Sequence, residues 1–306
     1  MLASLGLAGL MMLGLTFGSL GHSEDDDDED AERDPQNPAA TDDDDAASAP
    51  AAPPAPRPHI EGTGGDDWLD GTAGNDRIDG GDGHDDIRAG SGDDVVRGGA
   101  GHDVLYGDYS VGDFGGDALD GGDGDDLIAG DGGDDSLLGG HGNDTMMGGD
   151  GNDWLHSGPG DDWLDGNAGD DTLHAGTGRD DLSGGEGNDR LVADQRDGVR
   201  DWLHGGEGDD TLVGTGDDWL EGGAGRDLFD LPADRIIGDA PAIIADFNAA
   251  HDRIELSLPM TELARAQLSL DPQTDGTAMV RLNGAAIAHV LHPQGLDLSH
   301  IALRGV

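Results

Sequence analysis

The apolar positions between residues 62 and 230 recur every nine residues and are separated by turns rich in glycine and aspartate. Three regular copies start at Gly80, Gly121 and Gly148 and read GGDGHDDIR, GGDGDDLIA and GGDGNDWLH. Eighteen copies fill the segment, and in all of them the sixth residue is Asp and the eighth is apolar. Because nine residues cannot bury a core alone, the pattern predicts copies that stack into a solenoid.

The position of glycine within each copy predicts its local structure. Glycine tolerates positive φ, so we expect the first and fourth positions to form the tight turn. A short strand then carries the eighth side chain inward, since neighbouring strand residues face opposite sides. Two copies complete one coil, and nine coils stacked at about 4.8 Å predict an all-β rod roughly 43 Å long with a thin aliphatic core.

The acidic residues add a repulsion that this rod must overcome. Residues 62–230 hold 44 Asp and Glu against 8 Arg, a net charge of −36, and the whole chain carries −52. Stacking places the sixth-position carboxylates of successive coils about 4.8 Å apart, where they repel one another. Ca²⁺ prefers carboxylate and carbonyl oxygens at flexible spacing, so about a dozen Ca²⁺ between the coils would offset most of the charge. We therefore expect folding to be coupled to calcium.

The nine-residue unit resembles the GGxGxDxUx repeat of the RTX, or hemolysin-type, calcium-binding proteins, in which U is an apolar residue. The resemblance covers residues 62–230. It implies a right-handed parallel β-roll solenoid in which sixth-position Asp and backbone carbonyls hold Ca²⁺, and export by a type I secretion system. The metal ligands that it implies are Asp67, Asp76, Asp85, Asp94, Asp103, Asp117, Asp126, Asp135, Asp144, Asp153, Asp162, Asp171, Asp180, Asp189, Asp201, Asp210, Asp218 and Asp227. Two of these, Asp117 and Asp201, belong to copies lengthened by five and three residues.

Composition restricts the compartment and the partners. The chain of 306 residues has no Cys, 57 Gly and 4% aromatic residues, which excludes a large conventional core and fits a secreted protein stabilised by metal. Weak calcium sites fill outside cells, where free calcium is abundant. The net charge of −52 excludes nucleic acid as a partner. We expect a secreted, extracellular protein, with attachment to the cell surface as the alternative.

The N-terminal 58 residues predict two segments without a folded core. Residues 2–20 are uncharged and mostly apolar, and as a helix they would reach about 28 Å, enough to span a bilayer. We therefore interpret residues 1–22 as either a signal peptide or a membrane anchor, which would touch a membrane only if it is retained. Residues 23–58 combine acidic blocks with an Ala/Pro tract and predict a disordered linker before a roll over residues 59–230.

Ordinary composition returns in residues 231–306, which we interpret as a C-terminal β-rich cap. Residues 243–247 and 252–256 resemble the segment that ends the β-roll in secreted RTX proteins. Alternating apolar runs at 277–282, 285–291 and 298–303 predict three strands. A solenoid needs a cap over its last coil, and by resemblance this end also carries the secretion signal.

The outer face offers two further candidate sites. All five Trp stand at the seventh position, which strand alternation places outside. We expect Trp202 and Trp219, two copies apart, to lie side by side, where they either bind sugar rings or a partner or pack on neighbouring side chains. His174 and His204, interpreted as two copies apart in the ninth column, suggest a minor transition-metal site.

The repeats are not accompanied by a recognisable catalytic motif. The sequence has neither HExxH nor GxSxG, and Asp pairs such as Asp93 and Asp94 face opposite sides of the chain, which disfavours a catalytic pair. We expect a non-enzymatic, extracellular calcium-binding protein. One alternative is a calcium-dependent adhesin or matrix protein that binds polysaccharide, a cell surface or a protein partner through its Trp face. Another is the accessory module of a secreted hydrolase encoded elsewhere.

Overall fold

The repeat folds as its apolar periodicity requires. The computed structural model describes residues 59–108, 114–193, 198–233 and 240–306, all within one compact unit, Ala55–Val306. Each regular strand starts at the seventh residue of one copy and ends at the third residue of the next, as in Asp86–Ser91. Within that strand Ile87 and Ala89, an eighth and a first residue, face inward. The predictions for residues 1–58 lie outside the described residues.

Two sheets form the walls of the solenoid, and successive strands of the repeats alternate between them. Among the described residues, sheet I contains, in order, β1 (His59–Glu61), β3 (Arg77–Asp82), β5 (Val95–Ala100), β7 (Ala118–Asp123), β9 (Ser136–His141), β11 (Trp154–His156), β13 (Thr172–His174), β15 (Arg190–Val192), β17 (Thr211–Val213), β19 (Leu228–Pro232), β21 (Arg253–Leu258) and β25 (Ile301–Gly305). Sheet II contains β2 (Trp68–Ala73), β4 (Asp86–Ser91), β6 (Val104–Asp108), β8 (Leu127–Gly132), β10 (Thr145–Asp150), β12 (Trp163–Ala168), β14 (Asp181–Glu186), β16 (Trp202–Glu207), β18 (Trp219–Ala224), β20 (Ala242–Ile244), β24 (Ala285–Val290), β23 (Ala278–Leu282) and β22 (Leu268–Pro272).

Each strand of the roll pairs in parallel with the strands one coil before and one coil after it. Met146 in β10 lies between Ile128 of β8 and Leu164 of β12, its equivalents in the neighbouring coils. The two lengthened copies do not disturb this register, since β5 pairs with β7 and β14 pairs with β16 in the same way. The structure therefore confirms the predicted all-β parallel solenoid.

The eighth-position side chains form the core, which confirms their predicted inward direction. Seventeen of the eighteen are at most 1% exposed, and only Leu69, in the first strand of sheet II, is partly exposed. Burial of each aliphatic side chain contributes about 1.5–3 kcal/mol. The buried members are Ile78, Ile87, Val96, Leu105, Leu119, Ile128, Leu137, Met146, Leu155, Leu164, Leu173, Leu182, Leu191, Leu203, Leu212, Leu220 and Phe229.

The turns differ from the sequence prediction at the first position of the repeat. Fourth-position glycines such as Gly83 (φ 136°) have positive φ, as expected, but the other positive φ falls at the second position, as in Gly81 (φ 107°). The first residue lies inside the strand and faces the core. A Cβ on Gly80 would stand 2.4 Å from Oδ2 of Asp85. The prediction of positive φ at the first position is wrong, because glycine is required there by lack of space and not by a turn.

Both sheets continue past the last repeat instead of stopping at residue 230. β20 pairs in parallel with β18, and β21 pairs in parallel with β19, so one further coil follows the repeats. β25 then extends sheet I, while β24 joins sheet II in parallel and β23 and β22 follow in antiparallel pairs. The strands predicted at 277–282 and 285–291 are confirmed as β23 and β24.

The third predicted C-terminal strand needs correction. Leu298–His300 forms a 3-10 turn, and β25 begins only at Ile301. The side chain of Asp297 accepts a hydrogen bond from the N–H of Ser299 and caps this turn, so local capping overrides the alternating pattern. β22 and the one-turn helix α1 (Met260–Leu263) have no counterpart in the sequence predictions.

Candidate metal centre

The sixth-position aspartates lie at the turns, just before each strand begins, and their side chains are buried. Seventeen of the eighteen are at most 4% exposed, and only Asp67, in the first coil, is partly exposed. A carboxylate is rarely buried so completely unless a partner compensates its charge. The residues predicted as metal ligands therefore need partners that the sequence alone does not identify.

One oxygen of each carboxylate, except in Asp67 and Asp76 of the first coil, links successive coils. The backbone N–H of a sixth-position Asp donates to Oδ1 of the equivalent Asp one coil later, at 2.6–3.2 Å. These bonds join all eighteen predicted residues, including those of the lengthened copies, into two columns. The first column runs through Asp67, Asp85, Asp103, Asp126, Asp144, Asp162, Asp180, Asp201 and Asp218. The second runs through Asp76, Asp94, Asp117, Asp135, Asp153, Asp171, Asp189, Asp210, Asp227 and Asp252.

The second oxygen of twelve of these carboxylates is buried without a hydrogen bond. A buried polar atom without a partner costs about 1–3 kcal/mol, and more when it is charged. At Asp76 the roles are exchanged, because there Oδ1 lacks a donor and Oδ2 has one. The twelve carboxylates whose Oδ2 lacks a donor are Asp85, Asp94, Asp103, Asp117, Asp126, Asp135, Asp144, Asp153, Asp162, Asp171, Asp189 and Asp210.

Most of these Oδ2 atoms lie beside a backbone carbonyl of the following coil. At the point where a Cβ would stand on Gly130, Oδ2 of Asp135 lies 2.1 Å away and the carbonyl oxygen of Gly148 lies 2.7 Å away. A carboxylate oxygen at 2.1–2.5 Å and a carbonyl oxygen at 2.4–2.8 Å recur at the first position of ten copies. These positions are Gly80, Gly98, Gly107, Gly121, Gly130, Gly139, Gly148, Gly166, Gly184 and Gly205. Two acceptors thus lie close together, and a cation bound near both would compensate them.

The electrostatics of the columns favour the same conclusion. Burial raises the pKa of Asp135 to about 8, and the carboxylates of Asp117 and Asp153 in the neighbouring coils add to the rise. The exposed neighbour Asp134 behaves in the opposite way, because hydrogen bonds from Asn152 lower its pKa. Burial also raises the pKa to about 7 at Asp117, Asp126, Asp171 and Asp227 and to about 6 at Asp94, Asp144, Asp153, Asp189 and Asp210. The fold therefore disfavours the charge of its own columns unless a cation offsets it.

A cation in these columns would draw largely on backbone oxygens. In the parts of the chain that the structure describes, no three His, Cys, Asp or Glu side chains gather in a way that could hold a metal ion. The gaps between coils offer carboxylate oxygens together with carbonyls of the following coil. Ca²⁺ accepts oxygen ligands in flexible geometry, whereas Mg²⁺ demands a near-ideal octahedron and Zn²⁺ favours His and Cys. The donor set therefore fits Ca²⁺.

The outer-face predictions are confirmed for tryptophan and wrong for histidine. Trp202 and Trp219 pair directly in sheet II, one coil apart. His174 lies in β13 of sheet I, opposite His156, whereas His204 lies in β16 of sheet II. His174 and His204 are three copies apart, and an odd number of copies places them on opposite walls. They cannot share a metal site.

Sequence reasoning missed one member of the columns. Asp252 is 2% exposed, and its Oδ1 accepts from the N–H of Asp227 at 3.2 Å, although the repeat pattern ends before it. Its Oδ2 accepts from the N–H of Asn248 at 2.7 Å. The sequence DRIEL at 252–256 carries the signal, since its Asp stands two residues before an apolar residue, as in every copy.

Parallel strands stacked in two walls, with buried aspartates at every turn, define a β-roll of the calcium-binding class. A family model described as the RTX calcium-binding nonapeptide repeat matches residues 61–96, 79–108, 111–146, 120–155, 139–173, 156–191 and 198–229, together just over half of the chain. The chain belongs to the RTX calcium-binding nonapeptide repeat family, whose repeats are calcium-binding modules.

Among solved structures, the chain is similar to the extracellular lipase LipA from Serratia marcescens, at 17% sequence identity and a TM-score of 0.17. The match covers 81% of this chain but only 40% of the lipase chain, so this chain spans less than half of that protein. A sequence comparison with curated proteins gives no match. Within the described ranges, none of the helices has the length and apolar character needed to cross a bilayer.

Proposed function

We propose that the chain is a secreted, non-enzymatic calcium-binding β-roll that folds when Ca²⁺ enters the gaps between its coils. The observation that carries this proposal is the set of twelve buried Oδ2 atoms that lack a donor, most of them beside a carbonyl of the following coil. We propose these oxygens and carbonyls as the ligands. Asp180, Asp201 and Asp227 stand in the same columns and are proposed as further ligands.

The division of labour within each carboxylate supports this mechanism. Oδ1 accepts the N–H of the preceding coil and fixes the orientation of the side chain, as Asp135 does for Asp117 at 2.7 Å. The other oxygen is thereby directed into the gap between coils. Bound Ca²⁺ supplies the positive charge that offsets buried carboxylates and carbonyl dipoles. Before metal binds, the repulsion along each column opposes stacking, so at neutral pH the chain folds only where calcium is available.

The proposed location is outside the cell, reached by type I secretion. Support comes from the absence of Cys, the net charge of −52 and the number of calcium sites that the fold needs to fill. Low cytosolic calcium would keep the chain unfolded before export, and the higher calcium outside would trigger folding. Coupling folding to the compartment in this way gives the acidic repeats a role in export.

A calcium titration of the full chain, followed by far-UV circular dichroism with Mg²⁺ as the control, tests the calcium sites. We expect a cooperative transition from coil to β structure that Ca²⁺ induces and Mg²⁺ does not. The triple substitution of Asp126, Asp144 and Asp162 by Ala removes three consecutive members of one column and should raise the calcium midpoint severalfold.

The matched control replaces the preceding residue of each copy, Asp125, Asn143 and Asp161, by Ala. These side chains are exposed and hydrogen-bond to backbone N–H groups of the next coil, so the control removes three stacking contacts without touching Oδ2. We expect it to keep a midpoint close to that of the wild type. Equal effects of both triple substitutions, or β structure that forms equally well with Mg²⁺, would refute the proposed sites.

Adhesion through the outer face of sheet II is a second candidate function. Trp163, Asp181, Trp202 and Trp219 follow one another in a single column of that face. The strand spacing separates Trp163 from Trp202 by about 10 Å, and aromatic rings offer flat apolar surfaces on which sugar rings can stack. Because the chain is strongly negative, a neutral polysaccharide is the expected ligand.

Co-sedimentation of the full chain with cellulose, an insoluble neutral polysaccharide, tests this second function. We expect retention in calcium, release in a chelator, and loss of retention when Trp163 and Trp202 are both replaced by Ala. The control is Trp154→Ala, since Trp154 is similarly exposed but lies on sheet I. Failure of the wild type to sediment, or equal retention of both variants, would count against adhesion by this face.

A further inference from the structure

Both columns of carboxylates end differently from the way they run in the middle. Among the residues that the structure describes, the first column runs from Asp67 to Asp218 and the second from Asp76 to Asp252. At all four ends, Oδ2 accepts a hydrogen bond from the protein itself. In the interior, twelve Oδ2 atoms are buried without a donor. At the ends Oδ2 is occupied by the protein, although Oδ1 of Asp76 is itself buried without a donor, whereas in the interior it is Oδ2 that lacks a donor.

Threonine supplies the donors at three of these four ends. The backbone N–H and the hydroxyl of Thr72 both donate to Oδ2 of Asp76, at 2.6 and 2.8 Å. Oδ2, the oxygen that lacks a donor in the interior of the column, thus accepts two hydrogen bonds here. The equivalent pairs are Thr63 with Asp67, at 2.6 and 2.8 Å, and Thr215 with Asp218, at 2.7 and 3.1 Å. We call these three pairs threonine clasps.

The conformation of the second residue matches the arrangement in every copy that can be compared except one. In the lengthened copy of Asp117 the second residue, Asp108, lacks positive φ and Oδ2 still has no donor. The three threonines occupy the second position of their copies, and none of them has positive φ. Twelve other second residues have positive φ, and eleven of their copies leave Oδ2 without a donor. A β-branched residue strongly resists positive φ, whereas Gly adopts it freely and Asp and Asn tolerate it. The twelve are Gly81, Gly90, Gly99, Gly122, Asp131, Gly140, Gly149, Gly158, Asn167, Gly185, Gly206 and Gly223.

The position of the carboxylate differs between the first two clasped copies and the interior copies. Measured from the point where a Cβ would stand on Gly62 and Gly71, Oδ2 of Asp67 and Asp76 lies 3.1 and 3.0 Å away. In ten interior copies the same distance is 2.1–2.5 Å. In these two clasped copies Oδ2 therefore lies at least 0.5 Å farther from this point than in the ten interior copies, the difference between 3.0 and 2.5 Å.

We propose that, outside the two lengthened copies, the second residue of each copy selects the partner of Oδ2 of the sixth-position Asp, so that the threonine clasps occupy this oxygen at the column ends while Ca²⁺ fills the interior. The proposal rests on calcium binding at the interior gaps, as proposed above. Positive φ leaves Oδ2 without the N–H of the second residue and therefore open to a cation. Threonine supplies two donors to Oδ2, so this oxygen no longer needs a cation. The clasps thereby limit the number of ions that one chain can bind.

Equilibrium dialysis of the full chain against radioactive calcium measures the number of ions bound at saturation. The variants are Thr72→Gly, Thr215→Gly and Thr72→Val. Each glycine variant can adopt positive φ at the second position and release Oδ2, so each is expected to bind one more Ca²⁺ than the wild type. Thr72→Val loses the hydroxyl but keeps the N–H and resists positive φ, so its calcium content should equal that of the wild type.

The stability of the metal-free state is a second measurement, independent of the number of bound ions. Thr72→Val removes one of two donors to a buried carboxylate, so we expect its unfolding midpoint in chelator to fall below that of the wild type at pH 5. Circular dichroism in saturating calcium verifies that each variant folds. Thr72 lies at the start of the second column and Thr215 at the end of the first. If one glycine variant misfolds, the other therefore still provides the test.

The possible failures are distinguishable. A wild type that binds calcium, with unchanged ion numbers in both glycine variants, overturns the selection by the second residue. A gain of one ion in Thr72→Val overturns the role of backbone conformation and assigns the effect to the hydroxyl alone. A wild type that binds no calcium overturns this proposal together with the proposed function.

Discussion

The backbone N–H of Asp126 donates to Oδ1 of Asp144 at 2.9 Å, across the gap between two coils. Oδ2 of Asp144 has no donor, and together with the carbonyl oxygen of Ser157 it crowds the point where a Cβ would stand on Gly139. The two oxygens of one side chain therefore have separate roles, because Oδ1 links the two coils while Oδ2 is left to bind a cation. Removing the side chain and removing only its charge should have different consequences.

Substitution Asp135→Asn should weaken calcium binding and stabilise the metal-free roll. In the wild type the backbone nitrogen of Asp117 lies 2.7 Å from Oδ1 of Asp135, and the amide oxygen of the variant can still accept this N–H. The amide nitrogen would replace Oδ2 and face the carbonyl oxygen of Gly148 as a donor instead of a second acceptor. Because a buried unpaired acceptor becomes a hydrogen bond, we expect the metal-free form to gain about 1–3 kcal/mol. Circular dichroism in chelator, where the variant should hold more β structure than the wild type, and calcium counting by dialysis measure the two effects.

The neighbouring substitution Asp134→Asn is the control for this experiment. Asp134 is exposed, and its Oδ1 accepts from the N–H and the side-chain amide of Asn152 at 2.8 and 3.0 Å. We expect the number of bound ions to stay the same and the metal-free stability to change little, since a surface charge is well solvated. A loss of stability in Asp135→Asn, or equal calcium binding by wild type and variant, would contradict the assignment of Oδ2.

The metal-free chain should fold better in mild acid than at neutral pH. Burial raises the pKa of Asp135 to about 8 and that of Asp126 to about 7, both above the value of about 3.9 for an exposed Asp. A raised pKa means that the folded form binds protons more tightly than the unfolded form. Its stabilising effect is therefore complete below about pH 4 and is lost as the pH rises through the range from about 6 to 8.

Calcium should act in the opposite direction along the same pH axis, because it competes with protons for the carboxylates. We expect the calcium midpoint for folding to rise as the pH is lowered from 8 to 6. Circular dichroism of the full chain at fixed calcium and in chelator, between pH 4 and 8, checks both trends. A metal-free chain that loses β structure on acidification over this range would show that its carboxylates are not buried as described.

The sequence predicts the walls of this roll well because each wall obeys a single periodic constraint. The eighth residue of each copy is apolar because it faces the core, and the sixth residue of each copy is Asp because it links the coils. The conformation of the second residue could not be predicted, since most of the Gly residues, Asp131 and Asn167 take positive φ there, while Gly176, Asp108 and the threonines do not. The role of Asp252 was hidden because an irregular segment separates it from the last copy.

The core of the roll offers a prediction in which adjacent residues serve as test and control. Leu137 is completely buried between its equivalents in sheet I, whereas the next residue, Leu138, is half-buried on the outer face. Leu137→Ala should cost about 2–5 kcal/mol, because it removes buried surface and leaves a cavity in a core one layer thick. Leu138→Ala should cost about 1 kcal/mol or less. Chemical unfolding in saturating calcium compares them, and similar costs would show that the inner layer does not carry the stability.

The last prediction separates backbone strain from the contact between stacked turns. Gly74 and Gly124 both occupy the fourth position with positive φ, at 142° and 134°. A Cβ on Gly74 would meet nothing within 4 Å, because it belongs to the first coil, whereas a Cβ on Gly124 would stand 1.4 Å from the carbonyl oxygen of Gly101. Gly74→Ala should therefore cost about 1–3 kcal/mol from strain alone.

Gly124→Ala carries the same strain and must also push two coils apart, which misplaces the carbonyls around the calcium gap. We expect it to unfold at a clearly lower temperature than Gly74→Ala in saturating calcium and to need more calcium to fold. Thermal scans and calcium titrations of the two variants give these values. If the two variants lose equal stability, glycine is required at the fourth position only for its φ angle, and the close stacking of turns contributes nothing measurable to the fold.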